Sequence, residues 1–208
     1  MVKVKICGIT NIEDAKHAVC AGADALGFVF YGKSPRYIAP ENAAGIIRSL
    51  PAKVKKVGVF VNANPGVIRR VASMCGLDMV QLHGDESPAD CRKCSPYKVI
   101  KAFRIRRGFD SAVCKAYKTY GYLFDTYSGR LAGGTGRAFD WSILLKDKFR
   151  SRVFLSGGLN WRNIRRAISL LGPDWVDASS SLEKSPGKKD HSKVKSFIMQ
   201  AKRASIVS

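Results

Sequence analysis

Residues 2–31 read VKVKICGITNIEDAKHAVCAGADALGFVFY. A β-rich apolar run (2–9) gives way to an amphipathic stretch (11–22) that Asn11 can cap, and a second apolar run (23–31) follows. ALGFVF carries no polar alternation, as expected of a strand buried on both faces of a parallel sheet. The same unit recurs along the chain. Further strand candidates are KVGVFVN (56–62), DMVQLHG (78–84), YKVIKAFRI (97–105), GYLFDTY (121–127), RVFLSGGL (152–159) and DWVDASSSLE (174–183). Helix candidates open at Pro40, at Pro65 and near Pro88, then cover 110–120, 140–148, 160–172 and 191–205. Eight strands strictly alternating with eight helices predict an α/β fold, a single-domain (β/α)8 TIM barrel over residues 1–208. A doubly wound open sheet is the alternative, and the regularity of eight units favours closure.

Composition narrows the function classes. Hydrophobic residues make up 46%, which excludes a mostly disordered chain. There is no apolar run long enough for a spanning helix, so a membrane role is not expected. The start, MVKVKICGIT, lacks the apolar core and cleavage site of a secretory leader, which predicts a cytoplasmic protein whose six cysteines are thiols. The formal charge of +20 favours something anionic: nucleic acid, a membrane surface or a phosphorylated small molecule. No three basic residues are adjacent, and the densest basic region, from Lys184 to Arg203, reads as a solvated helix face. No nucleic-acid partner is expected.

In a (β/α)8 barrel the active site lies at the carboxyl ends of the strands. Residues just past the predicted strands are therefore the site candidates. Ser156-Gly157-Gly158 follows the seventh strand and Ser179-Ser180-Ser181 the eighth, the usual phosphate position in such barrels; ordinary turn residues are the plainer reading. Gly133, Gly134 and Gly136, in GGTG, lie in one of the two longest loops and match neither dinucleotide nor P-loop patterns; they read as a loop that closes over substrate. Cys7 ends the first strand. It is either an apolar filler or, near cations and backbone donors, a thiolate. Asp125 ends the apolar strand GYLFD, where burial would favour its protonated form and make it a proton donor; a cap or salt bridge is the alternative. Cys7 and Asp125 thus offer a base and an acid on opposite sides of the mouth. Arg36, in the long second loop, is either a fork for a carboxylate or a surface residue, and His83 either a site group or a structural histidine. CRKC (91–94) lacks a second ligand pair and falls within a predicted helix, so it reads as two structural cysteines.

Taken together, VKICGIT (4–10), ALGFVFYGKSPRYI (25–38), VGVFVN (57–62), VQLHGDES (80–87), LFDTYSGRLAGGTGRAFDW (123–141), FLSGGLNWRNI (154–164) and VDASSSLEKSPGKKD (176–190) resemble the phosphoribosylanthranilate isomerase family of tryptophan biosynthesis. The resemblance spans the whole chain. It implies a (β/α)8 barrel catalysing the Amadori rearrangement of N-(5-phosphoribosyl)anthranilate to 1-(2-carboxyphenylamino)-1-deoxyribulose 5-phosphate, with no metal or redox cofactor. It implies Cys7 as general base, Asp125 as general acid and Arg36 as holder of the anthranilate carboxylate. The SGG and SSS loops would hold the phosphate, with GGTG closing over the site. The family commonly has glycine where Ser181 stands, and a positive φ there would strain a serine.

Three other readings compete. In the histidine-pathway phosphosugar isomerase both acid and base are aspartates, which Cys7 argues against. A nucleic-acid binder would bind with steep salt dependence but leaves the motifs at the mouth unexplained. A catalytically dead relative is disfavoured by the presence of Cys7, Arg36 and Asp125. The expected partner is a small phosphorylated, carboxylated substrate, and the barrel helices fit either a monomer or a homodimer.

Overall fold

A computed structural model describes residues 1–106, 108–126, 141–144 and 149–204. Eight parallel strands close into a barrel in chain order: β1 (Lys3–Cys7), β2 (Ala25–Val29), β3 (Lys55–Phe60), β4 (Met79–Leu82), β5 (Lys98–Ile105), β6 (Gly121–Thr126), β7 (Arg152–Leu155) and β8 (Trp175–Ala178). Closure is made by β1, which pairs with β2 through Cys7 and Gly27 and with β8 through Lys5 and Asp177. The closed barrel leaves none of these eight strands with an unpaired edge. All eight predicted strands are present.

The helices differ more from expectation. Among the described residues α-helices follow six of the eight strands: α1 (Ile12–Cys20), α2 (Pro40–Arg48), α3 (Pro65–Cys75), α4 (Pro88–Lys93), α5 (Ile164–Leu171) and α6 (His191–Ala204). Asn11 caps α1 by accepting from the Asp14 N–H, as predicted, and Pro40, Pro65 and Pro88 each stand in a first turn, where the missing N–H costs nothing. The helix expected over 110–120 is instead a 3-10 turn, Ser111–Ala116. In that turn only Cys114 is buried, so no apolar stripe at helical spacing holds a longer helix against the barrel. Within 140–148, residues Trp141–Leu144 form a second 3-10 turn, and 140 and 145–148 lie outside the described residues. The strand expected over 174–183 stops at Ala178. A 3-10 turn (Ser180–Leu182) and a hairpin of β9 (Glu183–Ser185) and β10 (Lys188–Lys189) follow, turning at Pro186-Gly187. No residue pattern had marked this hairpin.

Two of the three buried hydrophobic clusters among the described residues hold the frame. The larger lies between strands and outer shell, where α6, for example, buries Val194, Phe197, Ile198 and Ala201 at spacings of three and four. The second fills the barrel interior with Ala25, Val57, Met79, Ile100, Ala102, Leu123, Phe154 and Trp175, the last two rings stacked 5.1 Å apart. Above this plug the interior becomes polar: Lys5, Gln81 and Asp177 are buried there. That change of lining places the reactive cavity at the carboxyl ends of the strands.

Candidate active site

One cavity opens at this end of the barrel, and Cys7, Arg36, His83, Asp125, Gly157, Gly158 and Ser179–Ser181 all line it. Sequence reasoning had collected these residues from six different loops and strand ends. Gly133, Gly134 and Gly136 lie outside the described residues.

Cys7 is the last residue of β1 and is buried. Its neighbour across the ladder is Gly27, where a Cβ would stand 2.7 Å from the Cys7 sulfur; only glycine leaves room for the thiol. Lys5, two residues earlier and so on the same face, donates to Asp177 Oδ1 and Gln81 Oε1, each at 2.9 Å. Burial pulls the Lys5 ammonium down, but Asp177 and Cys7 more than offset it, and the group is held above its ordinary range. Burial also pushes the Cys7 thiol up, with Lys5 and, more weakly, Lys189 opposing and Asp177 adding to the rise. The cations expected beside Cys7 are therefore present, yet desolvation outweighs them and the resting group is a thiol, not the thiolate that cations alone would give.

A polar chain crosses the interior from β8 to β6. Lysine can only donate, so Gln81 must present its oxygen to Lys5 and its amide nitrogen to His83. Nε2 of Gln81 lies 2.7 Å from Nδ1 of His83, which therefore accepts. The proton of His83 then sits on Nε2 and is directed to Asp125 Oδ2 at 3.2 Å. The other Asp125 oxygen accepts from the Thr126 N–H at 2.8 Å. Gly157 adopts φ +83°, and a Cβ there would come within 2.9 Å of Asp125 Oδ1. Asp125 is thus buried and oriented from two sides. His83, left open between site and structural roles, is the residue that orients it.

Arg36 is no free surface residue. Its Nε and Nη2 donate to the two oxygens of Glu183, each at 2.8 Å, and Lys189 Nζ donates to Glu183 Oε1 at 2.8 Å. Burial alone would raise the Glu183 carboxyl, but Arg36 and Lys189 hold it below its ordinary range. Burial holds Lys189 below the usual lysine range despite Glu183.

The two terminal loops form one wall of the cavity. Gly157 and Gly158 both have positive φ, and their N–H groups donate to no described residue. The Ser179 hydroxyl is buried with no partner among the described residues. Ser181 does something else: its hydroxyl donates to the Leu159 carbonyl and ties one loop to the other. Among the described non-glycine residues only Asn62 has a positive φ, so Ser181 carries no such strain. Lys5, Gln81, Asp177, Glu183 and Lys189 were missed from the sequence. A carboxylate inside the apolar run WVDA was the one signal available for Asp177.

Among the described residues no group of three or more His, Cys, Asp or Glu could hold a metal ion. Cys91 and Cys94 are buried around α4, and burial pushes Cys91 up to about 11 against the pull of Lys101. Among the described residues no helix is long and apolar enough to cross a membrane.

Residues 4–200 match the family model for N-(5'-phosphoribosyl)anthranilate (PRA) isomerase. The N-(5'-phosphoribosyl)anthranilate isomerase of Citrifermentans bemidjiense is 52% identical over 207 residues, covering 100% of both chains. The crystal structure of phosphoribosyl anthranilate isomerase from Thermotoga maritima superposes with a TM-score of 0.92 at 49% identity, covering 98% of this chain and 100% of that one. A crystal structure of such an isomerase in complex with reduced 1-(o-carboxyphenylamino)-1-deoxyribulose 5-phosphate superposes at 0.88 with 48% identity, over 98% of this chain and 100% of that one.

Proposed function

The chain belongs to the N-(5'-phosphoribosyl)anthranilate isomerase family, and from that premise we propose that Cys7 is the general base and Asp125 the general acid of its reaction. The protein is an isomerase of tryptophan biosynthesis that rearranges N-(5'-phosphoribosyl)anthranilate to 1-(2-carboxyphenylamino)-1-deoxyribulose 5-phosphate. The observation that carries the assignment of roles is the lining of one cavity by Cys7 on β1 and Asp125 on β6, with two further strands between them on the shorter way round the barrel.

The steps follow from that separation. Asp125 gives a proton to the furanose ring oxygen, the C1–O bond breaks, and the nitrogen lone pair closes a protonated Schiff base. Cys7 removes the proton from C2, and the electron pair of that C–H bond neutralises the iminium to give an enolamine. Transfer of the enol proton to C1 yields the ketone. Proton transfers suffice for this chemistry. Because burial favours the Cys7 thiol and both Asp125 oxygens accept hydrogen bonds, each cycle begins as the Cys7 proton passes to solvent and Asp125 takes one up from it, and the ammonium of Lys5 is the charge that favours the thiolate. Arg36 takes the anthranilate carboxylate. The N–H groups of Gly157 and Gly158, with the Ser179 hydroxyl and the 180–182 turn, take the phosphate. Gly133, Gly134 and Gly136 are assigned to closure over the substrate on the family resemblance. The reading extends to a cytoplasmic enzyme of one domain over residues 1–208. It works as a monomer or homodimer on a small phosphorylated, carboxylated substrate, with no nucleic-acid or membrane partner.

Steady-state turnover of freshly made N-(5'-phosphoribosyl)anthranilate tests the roles. Cys7→Ala and Asp125→Asn should each lower kcat by about 100-fold or more. Near-wild-type turnover in either folded variant removes that residue from the mechanism.

A further inference from the structure

Arg36 is held by a segment far from it in the chain. Glu183, on the hairpin β9–β10, takes the side edge of the guanidinium with both oxygens, meeting Nε and Nη2 at 2.8 Å each. The end edge, Nη1 with the second hydrogen of Nη2, is left over. Nη1 donates to no described residue, and Arg36 lines the cavity. That end edge has the geometry of a second fork for a carboxylate.

A carboxylate already bound to an arginine normally cancels its charge and leaves little attraction for another. Here it does not, because Glu183 is shared. Lys189 Nζ lies 2.8 Å from Glu183 Oε1 and 3.3 Å from the Ser179 carbonyl. Two cations on one carboxylate leave a net charge of one, and both Glu183 and Lys189 are buried, where water screens that charge little. The hairpin is itself pinned. The Thr10 hydroxyl donates to the Gly187 carbonyl, the Lys189 N–H to Asp14 Oδ2 at 2.8 Å, and the Asp190 N–H to the Leu182 carbonyl at 2.8 Å. An arginine braced in this way gives up little side-chain freedom when a ligand arrives.

We propose that Glu183 and Lys189 are positioning residues that make Arg36 selective for a carboxylated substrate, Glu183 by fixing the plane of the guanidinium and Lys189 by keeping the cluster positive. This rests on the reading of Arg36 as the carboxylate holder. Glu183 touches Arg36 itself, and Lys189 acts on Arg36 through Glu183.

The test compares N-(5'-phosphoribosyl)anthranilate with N-(5'-phosphoribosyl)aniline, which lacks the carboxylate, the latter read as substrate or as competitive inhibitor. Glu183→Asp keeps the charge but withdraws it by one methylene, so the fork can no longer meet both nitrogens. It should raise KM for the anthranilate compound about tenfold, the scale of one charge-assisted hydrogen bond, and leave the constant for the aniline compound unchanged. Lys189→Met, which neutralises the cluster, should shift the same ratio in the same direction. Equal effects on both compounds, or a change in kcat alone, would mean a merely structural role and overturn the proposal. So would an unchanged ratio in Glu183→Asp beside a raised ratio in Arg36→Ala. If Arg36→Ala itself leaves the ratio unchanged, the carboxylate reading of Arg36 is what fails, and the proposal falls with it. Should Lys189→Met not fold, Glu183→Asp decides alone.

Discussion

Replacing Lys5 by methionine is the sharpest perturbation of this barrel. The Lys5 side chain has no exposed surface, and its ammonium lies 2.9 Å from the carboxylate of Asp177, which is 4% exposed. Among the described residues Lys5 is the hydrogen-bond partner of that carboxylate. Lys5→Met would keep the volume but strand the negative charge of Asp177 in the interior. Breaking a buried pair from one side costs about 3–5 kcal/mol, a large part of the roughly 5–15 kcal/mol that holds a domain folded. At about 2–4 °C per kcal/mol for a chain of this size, Tm should fall by roughly 6–20 °C. Replacing both partners should cost far less, because no charge is then stranded. Lys5→Met/Asp177→Leu is expected within about 2 kcal/mol of wild type, well short of the sum of the two single losses. The assay is urea unfolding of wild type, both single variants and the double variant, followed by far-ultraviolet circular dichroism. The same substitution removes the charge that most opposes burial at Cys7, so thiolate absorbance from Cys7, taken as the difference from a Cys7→Ala background, should move to higher pH. A double variant no more stable than Lys5→Met would refute the reasoning, since the loss would then come from packing and not from a stranded charge.

Three further outcomes are expected. Gly27→Ala should lower kcat about tenfold or more with a modest loss of stability, because its methyl would lie 2.7 Å from the Cys7 sulfur; unchanged kcat would show that the thiol has room to shift. Cys91, which burial raises from 9.0 to about 11, binds its proton more tightly folded than unfolded, so its contribution is whole below pH 9 and lost as pH rises towards 11. Stability should therefore fall by up to about 3 kcal/mol from Cys91 across that window, and Cys91→Val should flatten the slope in urea midpoints measured from pH 8 to 11. Inorganic phosphate should inhibit competitively through the Gly157–Gly158 and 180–182 loops, whereas noncompetitive inhibition would move the anion site elsewhere.

The strands were legible because a parallel barrel buries them on both faces. ALGFVF and GYLFD have no solvent side to confuse the pattern. The segment over 110–120 was misread because polar spacing alone does not make a helix. With only Cys114 buried in the turn, nothing anchors a longer one. At the site, residues at strand ends could be found by counting, which gave Cys7, His83 and Asp125. The residues beneath them could not. In VKVKIC the alternation of Lys3 and Lys5 reads as a strand with one wet face, yet Lys5 points into the barrel and is fully buried. Polar residues at period two mean solvent in an open sheet and the upper layer of the interior in a barrel. Only closure, which no single strand reveals, decides between them. Glu183 was out of reach for another reason: its partner Arg36 is 147 residues away, and neither local sequence asks for the other.

The charges at the mouth bear on the overall excess of +20. Lys5, Arg36 and Lys189 face Asp125, Asp177 and Glu183, three cations against three carboxylates. The cavity is therefore close to neutral, and on the proposed reading a doubly anionic phosphate would be met by backbone N–H groups and a hydroxyl instead of by lysines. Such donors are fixed in direction and carry no counter-ions to be displaced, so they select an anion by shape. The surplus charge must then lie on the outer surface, as on α6, where Lys195 and Arg203 are exposed. A field of that sign draws anionic substrates towards the molecule without setting how they bind, and added salt should screen it. Recognition and attraction are thus carried by different residues. Surface lysines on α6 can change without touching the geometry around Cys7 and Asp125, whereas a change at Lys189 or Glu183 reaches Arg36 directly.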